Sequence, residues 1–447
     1  MSAASSIGVE KARVLILGGG FAGLYAAIEL DKTLARRPGV EVMLVNRENF
    51  FLFTPMLHEV AASDLDITHI VNPIRKLLRR VKFFHGEVHS IDLASKCVSL
   101  FHGPNRHMHE LRYDYLIIAL GSTTNFFNLP GLEANSLTMK SLGDAIHLRN
   151  RLIDLLEEAD FECALGERSN LLTVLVAGGG FAGVETIAAV NDFLREATKY
   201  YPHLAEDEIR TVLVHPGSVI LPELGAQLGA YAQRKLAERQ VEIRVNTKVT
   251  AISDRGIELS DGTAVKARTL VWTAGTSPNP ILESLPCEKE RGRLVVNEYM
   301  EVAGWPSVWA LGDCALVPDP KTGHPYPPTA QHAMRQGKIV ARNVEAAIVR
   351  GRRTPFVFST IGLLAAIGRR TGVAQILGVN FSGFIAWFLW RTIYLSKLPR
   401  LEKKLRVALD WTLDLFFSKD LVHFMILRAP TISRPEGERD EIVSSTS

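Results

Sequence analysis

The chain is 447 residues long, 47% apolar and 22% charged, with a formal net charge of +3. That length predicts two or three domains, because single cores stop growing near ~250–300 residues. The small charge excess argues against a nucleic-acid partner. Four dispersed cysteines (Cys97, Cys163, Cys287, Cys314) with no Cys-x-x-Cys pair argue for a reducing compartment and against a redox-active disulfide. Residues 1–9 carry neither a basic-then-apolar leader nor an arginine-rich transit bias, and no run reaches the ~18 apolar residues of a spanning helix. The cytosolic side of a membrane is the expected location.

In chain order, Arg13–Leu17 reads as a buried strand running into Gly18-Gly19-Gly20-Phe21-Ala22-Gly23 and a helix to about Ala35. Strand, Gly-x-Gly-x-x-Gly and helix together form the dinucleotide fingerprint. The first Gly permits the turn, the second lets backbone approach a pyrophosphate, and the third lets the helix pack on the strand. A second strand is predicted over 40–45. Asn46, followed by Arg47, stands at its end, where an acid usually holds the adenosine ribose. Residues 50–61 are too apolar for a surface loop and read either as core or as a wall around a flat cofactor. Short strands are predicted at 81–85, 87–92, 97–100 and 111–120, the last ending at Ala119 and Gly121. His102, His107 and His109 flank the turn Gly103-Pro104-Asn105, but no other ligand-type residue stands nearby, so no metal site is expected.

A charged amphipathic helix over 140–165 leads to a repeat of the opening pattern. Val174–Val176 runs into Gly178-x-Gly180-Phe181-Ala182-Gly183, with Glu185 on the first turn of a helix to about Thr198. Here His215 stands at the end of the second strand (211–214). A helix over 228–239, strands at 242–244 and 249–253, and Leu270–Gly275 follow. The last of these answers the strand ending at Gly121, so the duplication extends beyond the glycine turns. Two such turns imply two dinucleotides. Val308–Cys314 is then a strand into the turn Gly312-Asp313, and Thr329-Ala330-Gln331 opens a helix to about Arg342. Its N-terminal N–H groups could face an anionic ring.

Beyond 350 the spacing predicts a hairpin (363–367 and 373–377), an apolar helix over 381–395 and an amphipathic helix over 403–417. In that last helix Lys403, Arg406, Asp410 and Asp414 oppose Leu405, Leu409, Leu413 and Phe416. Between 351 and 428 twelve lysines and arginines face four acids, with Trp387, Trp390 and Trp411 interspersed. Apolar helices with basic flanks and no spanning length describe a monotopic anchor on an anionic leaflet, a core helix pair or a dimer interface, and the cationic excess favours the first.

In combination these motifs resemble the two-dinucleotide-domain flavoproteins and, within them, the type II (single-subunit, non-proton-pumping) NADH:quinone oxidoreductases. The particulars are the two glycine turns, residues 49–61, Glu185, Gly312-Asp313, Ala330-Gln331 and the stretch from Ile367 to Trp411. The resemblance spans roughly residues 12–420. It implies that Gly18, Gly20, Phe21, Ala22 and Gly23 hold the pyrophosphate of a non-covalent FAD, with Asn46 and Arg47 near its adenosine. Val88 would contact adenine, Asp313 the ribitol, and Ala330 and Gln331 the isoalloxazine and the quinone head. Gly178, Gly180, Phe181, Ala182, Gly183 and Glu185 would line the NADH site, with His215 at its ribose and Ala119, Gly121 and Gly275 at the strand ends. Three positions depart from the family pattern: Asn46 for an Asp, His215 for a Glu, and Arg335 for a Gln. His215 leaves NADH and NADPH both open as donor.

The expected fold is α/β, with two Rossmann-like domains and a membrane-associating C-terminal segment. Residues 1–143 and 300–345 would form a discontinuous FAD domain and 144–299 the NAD(P)H domain. Residues 346–430 would be the anchor and 431–447 a disordered tail. The expected protein transfers hydride to FAD and two electrons to a membrane quinone, as a homodimer on the cytoplasmic face of a prokaryotic inner membrane. Glu185 and Gln331 are its candidate catalytic residues, and Glu185 is expected to point into the cleft. A sulfide:quinone oxidoreductase would need paired cysteines, and a redox sensor would bind both nucleotides without fast turnover.

Overall fold

The computed structural model describes residues 11–424, so the expected tail at 431–447 lies outside the described residues. The chain opens with β1 (Ala12–Leu17), α1 (Phe21–Lys32), β2 (Val40–Asn46), α2 (Leu57–Ala61), β3 (Lys82–His85) and β4 (Tyr115–Ile118). It continues with α3 (Leu142–Phe161), β5 (Thr173–Ala177), α4 (Phe181–Ala197), β6 (Arg210–Val214), β7 (Val241–Arg244) and β8 (Thr269–Trp272). It then returns through β9 (Val308–Ala310) and α5 (Ala330–Val349). A meander of β10 (Gly362–Ala366), β11 (Gly372–Ile376) and β12 (Val379–Gly383) precedes α6 (Phe384–Lys397) and α7 (Leu401–Leu413).

Two parallel sheets organise the molecule. The first has the order β9-β4-β1-β2-β3 and the second β7-β6-β5-β8. The apolar runs at 14–17 and 174–177 are fully buried; the second sheet packs α4 on one face and a three-stranded antiparallel sheet of residues 249–265 on the other. Each central strand runs parallel to its neighbour and is joined to it through the helix that follows its glycine turn. The sheets meet at an antiparallel pair, Ser122–Thr124 against Thr276–Pro278, which directly follows Gly121 and Gly275. The sequence duplication therefore places the strand ends of both units at one crossover.

The glycine turns repeat atom by atom. Gly18 has φ +101°, and a Cβ there would lie 2.2 Å from Ala119 O; Gly178 has φ +118° and would press on Thr273. A Cβ on Gly23 or Gly183 would fall 1.9 or 1.8 Å from the carbonyl of Gly18 or Gly178, so helix and strand touch only because both lack side chains. Gly337 does the same for α5, whose backbone passes over Ala22 on α1.

Some elements differ from the sequence reading. The strand expected over 111–120 is two: 107–112 closes a three-stranded antiparallel sheet, while β4 joins the first parallel sheet. Between them Tyr113 is buried and Asp114 accepts the N–H of Arg13 at 2.7 Å, which breaks the run and switches its partner. The apolar helix starts at Phe384, not Phe381. Gly378 turns the chain into a third meander strand, and Gly383 at φ +71° ends it. The preceding helix α5 runs past Arg342 to Val349, and α7 stops at Leu413. Among the described residues no helix is long and apolar enough to cross a membrane.

Candidate functional site

At Gly20 and Gly180, the N-caps of α1 and α4, a side-chain carbon would meet nothing within 4 Å. Neither helix has a side-chain cap, so their first N–H groups face open space. That is the cradle a pyrophosphate needs, built twice. The residues fit two dinucleotides.

The middle glycine of each turn is held by the side chain ending the second strand. Asn46 Oδ1 accepts Gly19 N–H at 2.7 Å, and its Nδ2 donates to Glu48 O at 2.8 Å. His215 Nδ1 accepts Gly179 N–H at 3.1 Å. Both residues expected at a ribose are thus seen to buttress the turn. Accepting through Nδ1 leaves His215 neutral with its proton on Nε2, and burial holds its pKa below the ordinary value. An imidazole Nε2–H suits a ribose hydroxyl.

Around the first cradle, Gly312 has φ +74° and lies against α1, a Cβ there reaching within 3.1 Å of Ala22 Cβ. Its N–H donates to Gln336 Oε1 at 2.8 Å, which places Asp313 beside the turn. Val88 is buried next to a bulge in the antiparallel sheet. Ala119 is buried beneath the first cradle and Gly121 is open at φ +66°. At Gly275, by contrast, the close backbone approach is to the loop carrying Asn125 and Phe127. Arg47 is exposed and paired with Glu48 at 3.4 Å.

Of the two readings of residues 50–61, the structure shows the core one. Phe51 and Phe53 are buried and meet Phe21 edge to face at 5.0 and 5.8 Å. The aromatic run continues from Phe53 to Tyr394 (6.1 Å), Trp390 (4.8 Å) and Trp411 (6.3 Å). It leads from the first glycine turn into the C-terminal helices.

Glu185 departs from its expected orientation. Rather than facing an open cleft, its carboxylate is buried beneath the C-terminal unit. It accepts Ala366 N–H on β10 at 3.1 Å and Trp390 Nε1–H on α6 at 3.0 Å. The cause is tertiary: β10 and α6 pack over the start of α4. Gln331 donates to Gly362 O at the other end of the same strand, at 3.4 Å, so β10 bridges the two candidate catalytic residues. Ala330 is the first residue of α5, and Arg335 lies over Phe358 at 4.1 Å. Phe181, Ala182 and Glu185 share the first turns of α4.

Two neighbours were missed. His58 and Glu59, both buried on α2, stand as a titratable pair inside an otherwise apolar run, and that was their only signal in the sequence. His58 Nδ1 is 3.8 Å from Glu185 Oε2 and its Nε2 has no partner. Glu59 accepts Trp411 Nε1–H at 3.2 Å, as Glu185 accepts that of Trp390. Burial pushes both carboxyls up to about 8 and His58 down to about 3. At neutral pH the cluster is thus two protonated acids and a neutral imidazole.

The four cysteines are free. Cys314 is buried, with its thiol pushed up to about 11 by desolvation, and Cys163 is exposed. The rings of His102 and His109 lie 4.3 Å apart, but among the described residues no group of His, Cys, Asp and Glu has the arrangement of a metal site.

Comparison with known proteins agrees with this geometry. Residues 12–337 match the pyridine nucleotide-disulphide oxidoreductase family and residues 361–420 the NDH2 C-terminal domain. The chain is 33% identical over 420 residues to the type II NADH:quinone oxidoreductase Ndh of Mycobacterium tuberculosis, covering 90% of this chain and 88% of that protein. It is 31% identical to the demethylphylloquinone reductase NdbB of Synechocystis, covering 90% and 96%. The structure of NDH2 from Plasmodium falciparum in complex with NADH superposes with a TM-score of 0.86 over 92% of this chain and 100% of that one, at 20% identity. Two open glycine cradles, a bridging strand between Glu185 and Gln331, and relatives matched along nearly their whole length agree: the chain belongs to the type II NADH:quinone oxidoreductase family.

Proposed function

We propose that the protein oxidises NADH with FAD in the first cradle and reduces a membrane quinone at the C-terminal unit, without pumping protons. The observation that carries this reading is the pair of N-terminal glycine cradles at Gly20 and Gly180, where a Cβ would meet no protein atom within 4 Å, on sheets joined at one crossover. The organisation it implies is a flavin domain of residues 1–143 and 300–345, a nicotinamide domain of 144–299 and an anchor of 346–430.

When bound, a flavin supplies the hydride acceptance and the two-electron delivery. The chain's own residues supply position and protons. Gly18, Gly20 and Gly23 with the N-terminus of α1 orient one pyrophosphate, and Gly178, Gly180 and Gly183 with α4 orient the other. Asp313 would accept from ribitol hydroxyls, and Ala330 and Gln331 would present the N-terminus of α5. Reducing a quinone to a quinol consumes two protons. Glu185, neutral at pH 7, holds one at a buried carboxyl beside the bridging strand.

Membrane association follows from the outward face of the C-terminal helices. Leu401, Leu405, Leu409, Leu413 and Phe416 form an exposed stripe, joined by Phe384, Ile385 and Phe388 of α6. This apolar surface, set among basic residues, suits an anionic leaflet on the cytoplasmic face of a prokaryotic inner membrane, with the protein as a homodimer.

The test is anaerobic mixing of purified protein with NADH or NADPH, followed by a soluble quinone analogue. Flavin absorbance should bleach with NADH and recover rapidly with the quinone. Recovery no faster than without quinone would reduce the protein to a nucleotide-binding flavoprotein. No bleaching would mean that the second cradle has been misread.

A further inference from the structure

Lys140 and Ser122, 18 residues apart, meet Asp313 from much further along the chain, between the first cradle and the crossover. Lys140 Nζ donates to Ser122 Oγ at 2.9 Å, and that hydroxyl donates to Asp313 Oδ2 at 2.9 Å. Ser122 opens the crossover strand and Asp313 follows Gly312 beside α1. The Lys140 backbone is pinned too. Its N–H and that of Ser141 donate to Asp144 Oδ2 at 2.8 and 2.9 Å, within the capping box that starts α3. All three side chains are half-buried.

We propose that Lys140 is a positioning residue of the flavin site, fixing the Asp313 carboxylate through Ser122 and setting a positive charge beside the bound flavin. This deepens the flavin reading and rests on it. A serine hydroxyl has one proton. With Lys140 donating to its oxygen, that proton is committed to Asp313, so one carboxylate oxygen is fixed and the other stays free to accept from a ligand hydroxyl. A lysine used only to staple the crossover would have no need to end on this relay. The desolvation that pulls its pKa below the ordinary lysine value is opposed by the charge of Asp313. A cation held within the flavin site would also favour the reduced, anionic form of the flavin, which raises its midpoint potential.

The test uses holoenzyme as purified, with FAD dissociation followed by fluorescence and the midpoint potential by redox titration. In Lys140→Met the FAD dissociation constant should rise about tenfold or more, the usual scale for losing a charge-assisted hydrogen bond. The potential should become more negative, and Lys140→Arg should restore most of both. Ser122→Ala should reproduce the affinity loss. The double variant should lose no more than the larger single loss, because the two act through one relay. Wild-type affinity and potential in Lys140→Met, or additive losses in the double variant, would overturn the proposal. A wild type that purifies without flavin and binds none on addition would instead remove the flavin reading beneath it.

Discussion

Gly20 and Gly23 stand three residues apart in one turn, and a methyl group separates their roles. Gly20 has φ −73° and empty space beyond its α-carbon, so Gly20→Ala should cost about 1 kcal/mol or less of apoprotein stability, as an N-cap change. It should nevertheless purify with markedly less flavin, because the space it fills is the pyrophosphate's. Gly23→Ala drives its methyl onto Gly18 O and should cost about 3 kcal/mol whether or not ligand is present. Thermal unfolding with and without added FAD separates the two; equal losses of stability would refute the division. At the same scale the glycine spacing named the cradles, but not the hydrogen bonds by which Asn46 and His215 hold the middle glycines. The sequence shows only which residue ends the strand, whereas the hydrogen bond to the middle glycine depends on how that strand lies against the turn.

Helix α7 buries Lys403, Val407 and Trp411 and half-buries Asp410, while its leucines and Arg406 stay exposed, so its leucine stripe faces outward, unlike that of an ordinary surface helix. Lys403 is buried and donates to Thr68 O at 2.6 Å, Asp410 is hydrogen-bonded to His69, and Asp414 lies 3.9 Å from Arg369. Those partners satisfy the polar face, and Leu409 remains 57% exposed. Leu405→Glu and Leu409→Glu together should therefore change the melting temperature little while abolishing co-sedimentation with vesicles of anionic lipid. Retained vesicle binding at unchanged stability would move the membrane contact elsewhere. The amphipathic spacing was legible in the sequence, but which face met the protein was not. Either arrangement satisfies the periodicity, and only the partners in the loop after α2, Thr68 and His69, together with Arg369, choose between them.

The C-terminal unit is fastened to the two-sheet body by a pair of matched contacts, Trp390 to Glu185 and Trp411 to Glu59, with His58 between them. Charged groups around the cluster are Arg391, over Trp387 and Trp411 at 4.2 and 4.7 Å, and the Lys419–Asp64 pair at 2.6 Å. Both carboxyls are raised in the folded protein, from 4.5 to about 8. The stability they contribute is whole below pH 4.5 and lost as pH climbs through 8. His58 is depressed from 6.5 to about 3, so its contribution is present above 6.5 and lost as pH falls toward 3. Tryptophan emission should accordingly shift to the red above pH 8 as the indoles are hydrated, and Glu185→Gln with Glu59→Gln should flatten that limb. A pH-independent emission in the wild type would show that these contacts do not govern docking. By itself the sequence determined the α/β class, the two cradles, their duplication and the leucine spacing of the C-terminal helix. Each rests on local spacing, a strand, three glycines and a helix, or leucines every four residues, which the backbone reads within one turn. Only the tertiary structure decided that Glu185 lies under the C-terminal unit, that His58 and Glu59 join it, and that Lys140 reaches Asp313. Those meetings join residues far apart in the chain, brought together by the packing of whole elements, and no local pattern records them.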